Sequence, residues 1–192
     1  MDGGSIPPSS TMWAIRTAPP TRHRRRRNNA TVVLCACVIA LTSCGDSTTS
    51  PTTCPTDGIL PTLNRYVDGS VFIDTPWEPA PNTDLAAAID AGGVACSYGI
   101  QEAEVGATIL WAPGDTAFPE RKLQWQIDGH RQVNVAGADE AWAFEETAGE
   151  EQHLWALNLL VDGVWISINA TFLRDLSQAL PLVDAAIAEL RR

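Results

Sequence analysis

The chain has 192 residues, 45% of them hydrophobic, and a formal net charge of −10. Such acidity argues against nucleic acid and anionic headgroups as partners, because both repel a negative surface. The length fits one principal domain with a real core.

Residues 1–21 are rich in Pro, Ser and Thr and carry too few apolar side chains to form a core. Arg22, Arg24, Arg25, Arg26 and Arg27 follow as a cationic block. Ala30–Leu41 is an uncharged apolar run of 12 residues. A membrane-spanning helix needs about 20, whereas the core of a signal peptide needs about 7–15. The arginines would hold the segment with its N-terminus on the cytoplasmic side.

Leu41-Thr42-Ser43-Cys44 resembles the lipobox of bacterial lipoproteins, in which a branched apolar residue and two small ones precede a cysteine. The resemblance implies cleavage before Cys44, diacylglyceryl (palmitate-type) lipidation of that cysteine and residence on the extracytoplasmic face of the cell membrane. Two acyl chains give a stable anchor where one does not, at roughly 0.8 kcal/mol per buried CH₂. Residues 1–43 are then a leader, 44–58 a tether rich in Ser, Thr, Pro and Gly, and 59–192 a single domain. The chain from Cys44 onward holds 7 basic and 22 acidic residues, a net charge of −15. Cys35 and Cys37 leave with the leader and Cys44 is lipidated. Cys54 and Cys96 remain as a lone pair in an oxidising compartment, which points to a structural disulfide. No zinc-type spacing survives.

Within the domain, Ile59–Val67 has the spacing of a short helix with Pro61 near its start. Val71–Ile73 reads as a strand, and three prolines make 75–81 a loop. Thr83 is the N-cap expected for a helix over Asp84–Ala91, ended by Gly92-Gly93. Val94–Ile100 and Val105–Trp111 read as strands. A helix is expected near 116–122 and a strand after 130. The residues between fit either state, because Leu123, Trp125 and Ile127 alternate and Asp128-Gly129-His130 would serve as a hairpin loop.

The clearest signal is Trp155–Ala170, where Asp162-Gly163 makes a two-residue hairpin turn. That register puts Trp155, Leu157, Leu159 and Val161 on one face with Val164, Ile166, Ile168 and Ala170. The other face carries Ala156, Asn158, Leu160, Trp165, Ser167 and Asn169. The chain closes with an amphipathic helix from about Ser177, its stripe formed by Leu180, Val183, Ile187 and Leu190. The whole is an α+β domain, an antiparallel sheet with helices packed against it.

Cys96-Ser97-Tyr98 and Gly137-Ala138-Asp139-Glu140-Ala141, with the hairpin and helix that follow, resemble small actinobacterial lipoproteins. These include a family of unknown function with a Mog1/PsbP-like fold. Ala138 replaces a glycine and Tyr98 a commoner Trp. The resemblance spans Cys54–Leu190 and implies a fold, since a fold does not carry a function.

No nucleophile elbow, zinc-protease, phosphate-loop or EF-hand motif is present, and nothing in the chain requires a cofactor, a metal or a catalytic residue. Glu145, Glu146, Glu150 and Glu151 flank a loop and lack the alternation of a calcium site. The expected function is therefore a membrane-anchored, non-catalytic binding or accessory module of the cell envelope. Its partner would be a small molecule, a peptide or an envelope protein, met by Trp165, Leu160, Asn158, Ser167 and Asn169 on the mixed hairpin face. Coverage of that face by the C-terminal helix is the competing expectation. The alternative function is an envelope hydrolase using acids such as Asp139 and Glu140 with His130 or His153.

Overall fold

The computed structural model describes residues 50–148 and 151–192. The expected leader, Cys44, the first part of the expected tether and Glu150 lie outside them. Among the described residues no helix is long and apolar enough to cross a membrane.

Seven strands form one antiparallel sheet: β1 (Val71–Ile73), β2 (Val94–Ile100), β3 (Val105–Pro113), β4 (Arg131–Gln132), β5 (Glu140–Ala148), β6 (Glu151–Val161) and β7 (Val164–Ala170). Their spatial order is β1-β2-β3-β7-β6-β5-β4. Among the described residues four α-helices complete the fold: α1 (Ile59–Leu63), α2 (Asp84–Asp90), α3 (Ala117–Ile127) and α4 (Leu176–Glu189). The expected α+β domain is what forms.

The hairpin of β6 and β7 has the expected register, with Val161 opposite Val164, Leu160 opposite Trp165 and Leu157 opposite Ile168. Its turn needs two left-handed residues, and Asp162 and Gly163 supply them with φ of 49° and 79°. One residue departs from the pattern. Between Phe144/Ala156 and Glu145/Leu154 the β5–β6 register shifts, and Trp155 is the extra residue. A β-bulge of this kind reverses the inward alternation beyond it. Leu154 therefore takes the core position expected of Trp155, and Trp155 is left 38% exposed.

The sheet is covered on both faces. Helices α1 and α4 lie on the face of Leu157, Leu159, Ile166 and Ile168, where Ile59, Leu63, Leu182, Val183 and Ile187 complete one core. Trp111 belongs to it and donates its indole N–H to the Ala186 carbonyl at 3.2 Å. Leu180 is not part of the buried stripe of α4. It is 38% exposed, and Ala179, Leu182 and Ala186 widen the stripe instead. The helix is capped by Asp175, which accepts from the Gln178 N–H at 3.0 Å.

Helices α2 and α3 cover part of the opposite face, packing Ala88, Phe118 and Trp125 on Leu110, Trp142 and Trp165. The ambiguous stretch is thus helix through Ile127, not the first strand of a hairpin. Of the three alternating apolar residues only Trp125 turns inward; Leu123 and Ile127, four apart, are 63% and 77% exposed. Their exposure on one outer stripe is what imitated strand alternation. Asp128-Gly129-His130 ends the helix rather than turning a hairpin. Gly129 adopts φ 88° and the His130 N–H reaches back to the Trp125 carbonyl at 2.9 Å.

Cys54 and Cys96 form a disulfide with Cα atoms 5.5 Å apart. The end of the tether is also held by the Tyr98 hydroxyl, which donates to the Pro55 carbonyl at 2.7 Å.

Candidate functional site

The mixed face of the hairpin is divided by α3. Trp165 is fully buried, with Trp125 tilted over it at a ring-centroid separation of 5.6 Å. Asn158 and Ser167 are fully buried as well, and Asn158 accepts from the Trp165 indole N–H at 3.1 Å. Leu160 is half-buried and packs against the same cluster. Trp165, Asn158 and Ser167 are beyond reach of a dissolved ligand. The element covering them is α3, and α4 lies on the other face of the sheet. Of the expected binding residues, Asn169 lines the open clefts of this face.

That space is the uncovered remainder of the same sheet face. Two clefts meet there, of about 470 Å³ and about 380 Å³, and both are lined by Thr108 and Asn169. Together they make a trough across β2, β3 and β7. At one end stand Trp77, Asp84, Arg121, Trp125, Asp128 and His130. At the other stand Ile73, Ile100, Val105 and the bulged Trp155. A separate groove of about 590 Å³ lies between α2 and α3, away from the sheet face, beside Leu123 and Ile127.

The polar end is built on Asp84, the first residue of α2. The Thr83 hydroxyl caps that helix by accepting from the Ala86 N–H at 3.2 Å. Asp84 accepts from Arg121 Nε at 2.6 Å and from the Trp125 indole N–H at 2.9 Å. Arg121 also donates to the Asn82 carbonyl at 2.9 Å. One carboxylate thus ties α2 to α3. Asp84→Ala is expected to cost about 2–3 kcal/mol, because it leaves a largely buried guanidinium and an indole N–H without their acceptor. Urea unfolding of the variant against the parent measures it.

His130 is placed by the helix-ending turn, stacked between Trp125 at 6.0 Å and Phe144 at 5.1 Å. Among the described residues its buried Nδ1 has no hydrogen-bond partner. Burial pushes its pKa below the ordinary 6.5, Asp84 and Asp128 oppose that shift, and Arg121 adds to it. The neutral ring is therefore favoured in the folded state. The contribution to stability is complete above pH 6.5 and falls as the pH drops through the depressed folded value, since the unfolded chain then binds the proton more readily. His130→Phe keeps the stack and removes the titration. Between pH 7.5 and 5 its thermal midpoint should fall less than that of the parent.

Asp84 and Asp128 share the cleft of this histidine, whereas Asp139 and Glu140, the acids considered for hydrolysis, do not line it. Both oxygens of Asp84 are engaged by the Trp125 indole. Asp139 accepts from the Asp162 N–H at 3.0 Å, and Glu140 is held by Lys122 at 3.1 Å and by the Trp142 indole at 2.8 Å. His153 stacks on Trp155 at 5.0 Å. Glu145 pairs with Arg131. Among the described residues no three metal-binding side chains converge.

No family model matches the chain, and no curated protein or solved structure is significantly similar to it. The lipoprotein resemblance rests on its own short motifs.

Proposed function

We propose that this chain is an exported, lipid-anchored envelope protein whose domain binds a small molecule, without turning it over, in the trough that crosses β2, β3 and β7. The observation that carries the reading is the incomplete covering of one sheet face. The α2–α3 layer buries Trp165 and its neighbours but stops short of Thr108 and Asn169, where two clefts join. Clefts of a few hundred Å³ with aromatic walls and a few fixed polar groups are the usual composition of a small-molecule site. Trp77 is held at the rim by its indole N–H, which donates to the Ala95 carbonyl at 2.9 Å. Asn169 is oriented by its own donation to Ser167 Oγ at 3.2 Å. A rim fixed in this way loses little entropy when a ligand enters.

Anchoring is supported by Cys44 and the stretch before it. From Cys44 to Cys54 an extended tether reaches at most about 35 Å, which would keep the trough close to the bilayer. Cys44→Ser is expected to move the exported protein from the membrane fraction to the soluble one. Retention of the variant on membranes after export would refute the anchor. Binding is tested by native mass spectrometry of the Cys44→Ser chain purified from its own envelope. A discrete added mass is expected, absent when Thr108→Trp fills the middle of the trough. An added mass that survives Thr108→Trp would place the ligand elsewhere.

A further inference from the structure

The two ends of the trough differ in chemistry, and the difference carries an assignment that rests on the binding reading above. At the β1–β2 end the aliphatic side chains of Ile73, Ile100 and Val105 and the exposed ring of Trp155 form an apolar wall, with Gln101, Glu104 and Thr171 at its rim. At the α2–α3 end stand carboxylates, the His130 imidazole, the Trp77 indole and the paired Arg121 guanidinium, with Thr108 and Asn169 between the two ends. We infer that the occupant is an amphiphile with an uncharged, hydroxyl-bearing head, lying with its apolar tail along Ile73 and Val105 and its head between Asn169 and Asp128.

Charge disfavours an anionic head. Arg121 is the cation at this end, and it is already bound to Asp84 and the Asn82 carbonyl. The neutral ring favoured at His130 adds no positive charge. Asp128 stands at the polar end and Glu104 at the rim of the apolar end. An anionic head would be repelled at both, in a chain that is acidic throughout. Hydroxyls are suited to what remains. They donate to Asp128 and to the Asn169 carbonyl oxygen, they accept from Thr108, and their C–H faces pack on the Trp77 ring. The tail is the source of most affinity, because each CH₂ withdrawn from water is stabilised by its transfer to an apolar wall.

Titration of the full-length exported Cys44→Ser chain with three probes tests the assignment, read by tryptophan fluorescence below the micelle concentration. Dodecyl maltoside should bind saturably, dodecyl sulfate at least tenfold more weakly, and maltose weakest of the three. Ile73→Asp should weaken dodecyl maltoside at least tenfold with an unchanged far-ultraviolet dichroism spectrum. Should that edge-strand variant fail to fold, Val105→Asp makes the same test from the neighbouring wall. Dodecyl sulfate binding as tightly as dodecyl maltoside would overturn the uncharged head. Maltose binding as tightly, or an affinity for dodecyl maltoside indifferent to Ile73→Asp and Val105→Asp, would overturn the amphiphile while leaving the trough as a site. Absence of saturable binding by all three probes would overturn the amphiphile. A native mass adduct sensitive to Thr108→Trp would show in that case that the trough still holds another ligand, and lack of that adduct would remove the trough reading as well.

Discussion

Trp165→Ala is expected to lower the unfolding free energy by about 3–5 kcal/mol, the range for removing a large aromatic side chain from a packed interior. For a domain of this size that is a fall of roughly 10–20 °C in thermal midpoint. The size of the effect has three sources that act together. The indole is fully buried, it supports the Trp125 ring at 5.6 Å, and its N–H satisfies Asn158 Oδ1 at 3.1 Å. Trp125 in turn leans on Phe118 edge-on at 5.2 Å and bonds Asp84, so the disturbance spreads into the α2–α3 layer. Trp155→Ala is the control. That side chain sits on a bulge, 38% exposed, and its removal should change stability by no more than about 0.5 kcal/mol. Thermal and urea unfolding of the two variants distinguish core from rim. Similar losses of stability for both would contradict the division of the mixed face into a covered and an open part.

The second large effect concerns the disulfide. Cys54→Ala with Cys96→Ala should destabilise the domain by about 4 kcal/mol, the chain-entropy value for a loop closed across a separation of 42 residues. The physical origin lies mostly in the unfolded chain, which gains freedom when the link is cut. An increase in the urea m-value should accompany the loss, since a more open denatured state exposes more surface. Cys96 is fully buried, so alanine, being smaller and apolar, avoids placing a new polar group in the core. The variant should remain folded at 25 °C with the end of the tether still held near β2, because Tyr98 bonds the Pro55 carbonyl without help from the disulfide. A variant as stable as the parent would show that the Cys54–Cys96 link does not constrain the chain.

The proposed site is partly legible in the sequence. The alternation in Trp155–Ala170 singles out a sheet face that mixes Asn, Ser and Trp, and the trough does lie on that face. Asn169 belongs to it; Trp165, Asn158, Leu160 and Ser167 do not, because α3 lies over them. Nothing in the periodicity of the hairpin records which helix covers which end of a face. Trp77, Asp84 and His130 do not group as a site in the sequence because they are far apart in the chain. Each carries a local signal: a proline loop, an N-terminal acid beside a capping threonine, and a glycine turn. Their convergence depends on the contact of α2 with α3, which the Asp84–Arg121 pair makes.

What the sequence by itself determined about this protein are the features set by neighbours in the chain. The Asp162-Gly163 turn and period-two alternation set the β6–β7 register. Thr83 and Gly92-Gly93 bound α2, and three prolines keep 75–81 out of the sheet. The pairing of Cys54 with Cys96 followed from their being the two cysteines left after the expected processing. Tertiary structure decided the rest. It turned Trp155 outward through a bulge opposite β5, and it made α3 a helix by burying Trp125 while leaving Leu123 and Ile127 in water. It also put α4 on the aliphatic face and left half of the other face open. The physical reason is that backbone geometry and caps act over three or four residues, whereas burial is shared by segments distant in the chain. A hydrophobic side chain specifies that it will be covered, and only the packed fold specifies by what.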